Sequence, residues 1–192
     1  MIDELIHYPI LPVVPVGLLE AEDAYTNDKL LSAQIDRYCS KDGVSIPNTR
    51  YTRYPVNDKI CAWVDKNIAS DYADIGISFH GLLGGTNMTG TPHTDRTRHW
   101  TLIWLLDEGG PEVDTVYWQE ENKPVIRIGD VRSVSYDNLS EIGRARLKKH
   151  KWVLLDARAI HSIEGLTGLR KSLQIGFWNS AQSLQRFKNT SS

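Results

Sequence analysis

The stretch Trp100-Thr101-Leu102-Ile103-Trp104-Leu105-Leu106-Asp107-Glu108-Gly109-Gly110-Pro111-Glu112-Val113-Asp114-Thr115-Val116-Tyr117-Trp118 decides the class of fold. Its ends are short apolar runs, Trp100–Leu106 and Thr115–Trp118, and its middle is Gly109-Gly110-Pro111, residues that turn a chain. Runs of this length, rich in aromatic and β-branched residues and bounded by such breakers, predict two strands and a turn. With a period of two, Trp100, Leu102, Trp104 and Leu106 share one face of the first strand, and Thr101, Ile103 and Leu105 share the other.

The same texture continues on both sides. Ile75–Leu83, Val125–Ile128, Trp152–Asp156 and Ser172–Trp178 read as further strands. Their breakers are Gly84-Gly85, Asn122 with Pro124, and Gly165 with Gly168. One helix is expected over Leu139–His150, with Lys and Arg near its C-terminal end, where the macrodipole prefers cations. Because helices do not regularly separate the strands, a doubly wound parallel sheet is disfavoured, and a sandwich or jelly roll is favoured. Upstream, Asp28–Cys39 after the cap Asn27, and Asn57–Ala69, carry apolar residues at helical spacing, with Gly43 and Pro47 between them. The expected architecture is a mainly β, α+β single domain over residues 1–192. Residues 1–72 form a mostly helical cover packed on one sheet, and 74–180 form a jelly-roll core.

Composition narrows the class further. The chain has 192 residues, 41% hydrophobic and 24% charged, which suits one globular domain and excludes disordered, collagen-like and coiled-coil chains. The net charge of −2 lacks the basic excess of a dedicated nucleic-acid binder. Cys39 and Cys61 make no Cys-x-x-Cys pair and read as buried thiols of a reducing compartment. Asp3 and Glu4 stand where a secretion signal needs positive charge. The apolar stretch Ile10–Leu19 is broken by Pro12 and Pro15 and falls short of the ~20 residues that span a bilayer. A cytoplasmic protein with no membrane partner is expected.

The chemistry concentrates in Thr91-Pro92-His93-Thr94-Asp95, just before the strand at Trp100. In an extended segment, His93 and Asp95 point to one side and offer an imidazole nitrogen and a carboxylate oxygen to one point. The pair alone is weak, since six histidines and 24 acids in 192 residues produce about one such spacing by chance. His161 strengthens it, following the apolar run Trp152–Leu155. Nine residues later Arg170-Lys171-Ser172 opens a strand on which Arg170, Ser172, Gln174, Gly176 and Trp178 share one face. Leu173, Ile175 and Phe177 share the other. A guanidinium and a hydroxyl thus project side by side, and a carboxylate is the natural bidentate ligand of the first.

The other histidines compete poorly. His99 is expected to point away, His150 to end the basic helix, His80 to be a satisfied strand residue, and His7 to sit in a Pro-rich leader without an acid nearby. Two histidines and one carboxylate leave three adjacent positions of an octahedral metal open. Zinc would more often take a tetrahedral set, and calcium more oxygens.

His93-x-Asp95, a distant His161 after a strand, and then Arg170-x-Ser172 resemble the Fe(II)- and 2-oxoglutarate-dependent dioxygenase superfamily over about residues 75–178. The surrounding text, from Pro92 to Arg98 and over Thr115–Trp118, is similar to short stand-alone oxygenases of bacterial and phage type. The resemblance implies a double-stranded β-helix, the cupin-like jelly roll. It implies that His93, Asp95 and His161 hold Fe(II), that Arg170 and Ser172 bind the distal carboxylate of 2-oxoglutarate, and that O2 is the oxidant. It also implies an enzyme, a hydroxylase that releases succinate and CO2, acting on a small molecule or a peptidyl residue.

Further candidates stand beside these. Arg98 is a grip for an acidic substrate or a salt-bridged arginine, Trp104 a pocket wall or core, and Tyr117 an inward polar contact. Gly81 to Gly90 reads as a lid or a plain hairpin connection. Two rival readings keep other roles for these residues: a cupin-like metal enzyme that does not use 2-oxoglutarate, and a non-catalytic jelly-roll binding module. The nucleic-acid demethylase branch usually carries a further arginine on the last strand, where this chain has Gln174, Gly176 and Trp178.

Overall fold

A computed structural model of the chain describes residues 2–19, 49–54, 56–82, 92–95, 98–121, 132–133, 136–178, 185 and 187. In chain order these form β1 (Ile6–His7), β2 (Thr49–Tyr54), helix α1 (Asp58–Asn67), β3 (Asp74–Leu82), β4 (His93–Thr94), β5 (Trp100–Glu108) and β6 (Asp114–Glu120). They continue with β7 (Arg132–Ser133), β8 (Leu139–Ala145), β9 (Trp152–Asp156), β10 (Ile160–Glu164) and β11 (Arg170–Phe177). A six-stranded sheet runs β1-β9-β5-β11-β3-β2, and a five-stranded sheet runs β7-β4-β10-β6-β8. Among the described residues every pairing is antiparallel. From β4 onward the chain crosses repeatedly between the sheets, and that winding is a jelly roll.

The alternation along β11 explains the layers. Leu173, Ile175 and Phe177 face away from the second sheet, into a core shared with Leu102, Trp104, Trp152 and Leu154. Helix α1 closes that core with Ile60 and Val64, both fully buried. Burying two such side chains contributes roughly 1.5–3 kcal/mol each. The helix starts where it does because the Asn57 side chain accepts the Ile60 N–H at 3.1 Å, satisfying one orphan donor of the first turn. A second core lies between the sheets, where Ile103, Leu105, Val153 and Leu155 meet Tyr117.

The turns set the ends of the site. Gly109 has φ +80°, and its carbonyl accepts the N–H groups of Thr167 and Gly168 at 2.9 and 2.7 Å. A Cβ there would stand 2.7 Å from the Arg170 Cβ. Only glycine lets the β5–β6 turn approach the start of β11 this closely.

The helix expected over Leu139–His150 is instead the strand β8, followed by coil and a turn. Its apolar spacing mimics a helix, but Gly143 weakens one. Gly143 is also where Ile2 packs, with a Cβ there only 2.9 Å from the Ile2 Cβ. The exposed Glu141 and Arg144 suit an edge strand, where charge discourages further pairing. Arg144 binds Glu141 on its own strand and Asp114 on β6. The helix expected over Asp28–Cys39 with its cap Asn27, the strand expected over Val125–Ile128, residues 83–91 and Cys39 lie outside the described residues. Cys61 is half-buried rather than enclosed. Among the described residues, no helix is long and apolar enough to cross a membrane.

Candidate metal centre

His161 stands at the middle of the smaller sheet. In register it lies opposite His93 of β4 on one side and Tyr117 of β6 on the other. Directly opposed residues of antiparallel strands project to one side. The His93 and His161 rings lie 4.6 Å apart between centroids. Asp95 follows β4 by one residue. Its N–H donates to the Ala157 carbonyl at 2.7 Å, which ties it to the turn between β9 and β10. That turn is shaped by Asp156, whose Oδ1 accepts the N–H groups of Arg158 and Ala159 at 2.9 and 3.3 Å. One buried carboxylate therefore aims both β10 and the Asp95 backbone.

One ligand atom from each of His93, Asp95 and His161 lies within 4.8 Å of the others. His93 Nε2 and Asp95 Oδ1 are 3.6 Å apart. His161 Nδ1 is 2.9 Å from the Ala159 carbonyl oxygen, which can only accept. The proton therefore sits on Nδ1 and the Nε2 lone pair is available to a metal. Burial, followed by the neighbouring His93, holds the His161 imidazole below its ordinary range, so it is neutral. Two imidazoles and a carboxylate fit a divalent transition metal that keeps open positions.

A second group of residues lies on the inner face of β11. Ser172 is buried, and its hydroxyl accepts the Gln174 amide at 3.1 Å. Arg170 is 3% exposed, and its Nη2 donates to Thr115 Oγ1 at 3.4 Å. Burial pulls its guanidinium from 12.5 down to about 10, still charged at neutral pH. His80 of β3 faces Arg170 across the strand pair, on the same side. Burial, then the Arg170 guanidinium, pushes its imidazole down to about 3, so it is neutral. Sequence reading set His80 aside as a strand histidine, and its only signal is the β3–β11 register.

The remaining candidates fall in different places. Tyr117 is inward and fully buried, with its ring 5.9 Å from that of His161. Its hydroxyl donates to the carbonyls of Asp156 at 3.1 Å and Leu5 at 3.4 Å, so it anchors main chain. Trp104 lies on the other face of the large sheet, in the helix-side core against Trp152, and does not wall the site. Arg98 is not an open grip: its side chain is 11% exposed, and its guanidinium lies against Asp74, Asp95 and Gln174. His150 sits in a turn at φ 57° with its ring stacked on Trp104, rather than ending a helix.

Among solved structures, the chain is similar to a prolyl hydroxylase from Trichoplax adhaerens in complex with a hypoxia inducible factor oxygen degradation domain peptide. The TM-score is 0.54 at 11% identity, over 97% of this chain and 86% of that one. The chain shares the jelly-roll fold of that enzyme. EvdMO1 is similar at TM-score 0.50 and 12% identity, over 92% of this chain and 48% of that one, so the chain spans about half its length. A Pseudomonas putida prolyl-4-hydroxylase gives TM-score 0.47 and 13% identity, over 90% and 94% of the two chains. No protein-family model matches the sequence, and no curated protein matches it. The likeness lies in the fold, at identities where sequence comparison is silent.

Proposed function

We propose that the chain is a non-haem Fe(II)- and 2-oxoglutarate-dependent oxygenase that hydroxylates an amino acid, a peptidyl residue or a small metabolite. The observation that supports this best is the convergence of three donors, His93, Asp95 and His161, together with the buried cation Arg170, whose strand neighbour His80 feels the charge of both groups. Held by His93, Asp95 and His161, Fe(II) with 2-oxoglutarate would supply the oxidising power: O2 and 2-oxoglutarate would be consumed, succinate and CO2 released, and one oxygen atom delivered to the substrate.

The chain's own residues supply orientation and charge. His161 presents Nε2 because Ala159 holds its Nδ1 proton. Arg170, charged and buried, would pair with the distal carboxylate of the cosubstrate, a bond strengthened by burial. Ser172 adds a hydroxyl on the same face. His80, neutral beside Arg170, brings no second charge to that end and so does not compete for the carboxylate.

Succinate formation from 2-oxoglutarate, dependent on Fe(II) and O2, tests the reading directly. His93→Ala is expected to abolish it, and unchanged turnover in that variant sinks the site assignment. A wild-type chain that binds metal but shows no 2-oxoglutarate affinity by calorimetry supports the cupin-like alternative instead.

A further inference from the structure

Arg98 stands on the connection that also carries Asp95, and both ends of that connection are held by main chain. Asp95 N–H donates to the Ala157 carbonyl at 2.7 Å, and His99 N–H to the Phe177 carbonyl at 3.0 Å. Between these anchors the Arg98 side chain crosses the end of the large sheet. Its Nη1 donates to Gln174 Oε1 at 2.9 Å and lies 3.5 Å from Thr101 Oγ1. Its Nε lies 3.5 Å from Asp74 Oδ2. Three strands, β3, β5 and β11, thus brace one guanidinium.

The same Nη1 is 3.7 Å from Asp95 Oδ2, whereas Asp95 Oδ1 is the atom 3.6 Å from His93 Nε2. The two oxygens of one carboxylate therefore face different partners. Oδ1 faces His93 and Oδ2 faces the arginine. Gly176 makes room for this arrangement. A Cβ at that position would stand 2.5 Å from Arg98 Cδ, 2.8 Å from Arg98 Cγ and 2.7 Å from Asp74 Oδ1. The absent side chain at 176 is the channel in which the arginine stem lies.

We infer that Arg98 is a positioning residue that fixes Asp95 as a one-oxygen metal ligand and links it, through Gln174 and Asp74, to the large sheet. This rests on the proposed metal centre. Both histidine ligands belong to the smaller sheet, on β4 and β10. Asp95 is in the connecting segment, so its carboxylate orientation is the coordinate of the site that no strand sets. A carboxylate engaged with Arg98 through Oδ2 would offer a metal Oδ1 alone, which would leave one more coordination position to a cosubstrate.

The test measures Mn(II) affinity by calorimetry in the full chain, with the melting temperature of each metal-free protein recorded beside it. Arg98→Gln is expected to weaken Mn(II) binding roughly 10- to 100-fold, as loss of a group that orients a metal ligand does. Arg98→Lys keeps a cation near Asp95 without the fork that also holds Gln174, and is expected to recover part of the loss. Gly176→Ala leaves every charged and hydrogen-bonding group in the chain but displaces the arginine stem, and is expected to weaken binding as well. It also serves as the readout if Arg98→Gln does not fold. Variants that match the wild type, or bind more tightly because a nearby positive charge has gone, overturn the inference. So does an Arg98→Lys protein no better than Arg98→Gln. Wild-type protein that takes up no Mn(II) overturns this and the oxygenase reading together, whereas normal wild-type uptake with unaffected variants overturns this alone.

Discussion

Replacing Arg170 by methionine is expected to stabilise the unliganded protein while disabling it. The guanidinium is 3% exposed, and burial draws it from 12.5 down to about 10. At 1.36 kcal/mol per pKa unit, that corresponds to a cost on the order of 3 kcal/mol for keeping the charge where it is. Its hydrogen bond to Thr115 Oγ1, at 3.4 Å, returns about 1 kcal/mol. Methionine retains the aliphatic stem, which packs closely over Gly109. The net gain is about 2 kcal/mol, or roughly 4–8 °C in melting temperature for a chain of this size. Removing the cation also leaves a bound carboxylate buried without its partner, at roughly 3–5 kcal/mol. The affinity for 2-oxoglutarate should therefore fall on the order of 150- to 5,000-fold. Thermal denaturation of the metal-free protein and calorimetry of the Mn(II)-loaded protein read the two effects separately. A variant that melts several degrees lower than wild type, or one that keeps its 2-oxoglutarate affinity, refutes the reasoning and makes Arg170 a structural residue.

Three further outcomes are expected. His80 is neutral in the folded protein and has a pKa of about 3 against an ordinary 6.5, set by burial, then Arg170 and His93, with Asp95 opposing and His161 adding. Its unfolded form takes up a proton first, so the stability it contributes is complete above pH 6.5 and is lost as pH falls towards 3, at up to about 1.4 kcal/mol per pH unit. Denaturant titrations of metal-free wild type and His80→Gln should diverge in slope across that window, and parallel curves would remove the effect. Gly165 has φ +76°, and a Cβ there would strike the Glu112 carbonyl oxygen. Gly165→Ala should cost about 3 kcal/mol, roughly 6–12 °C of melting temperature, and a variant within 2 °C of wild type would contradict the turn geometry. Mn(II) at 100 times its Kd should stabilise the fold by about 2.7 kcal/mol, a gain that a chelator reverses and that His93→Ala lacks. An equal gain in His93→Ala would place the metal elsewhere.

Strands that are compact apolar runs bounded by turn residues are readable in the sequence. Trp152–Asp156 has the bounds expected of it, and Arg170–Phe177 and Trp100–Glu108 begin or end within two residues of expectation. Misreadings arose where tertiary pairing overrules local pattern. The spacing of Leu139, Ile142 and Leu147 fits a helical stripe as well as it fits an edge strand. Its resolution comes from six register pairs with β6, which no window of the sequence displays. β10 was not distinguished as a strand at all. Ile160-His161-Ser162-Ile163-Glu164 is short and half polar, and it is a strand because β4 and β6 flank it.

The site divides along the same physical line. Arg170 and Ser172 lie two residues apart on one strand, so the period of two places them together without knowledge of anything else. His93, Asp95 and His161 required an assumption that β4 and β10 are neighbours, and residue chemistry supplied the reason to make it. Arg98 and His80 had no comparable local signal. The hydrogen bond from Arg98 to Gln174 joins residues 76 positions apart, and the pairing of His80 with Arg170 joins residues 90 positions apart in the numbering. A side chain that donates a bond to a ligand or a metal reveals itself by type and spacing. One that orients another side chain does so through packing, and a glycine such as Gly176, whose contribution is the space it leaves, carries no chemical signature at all. The orientation of Asp95 is therefore the property of this centre least visible in the sequence, and it depends on three residues, Arg98, Gln174 and Gly176, none of which would touch the metal.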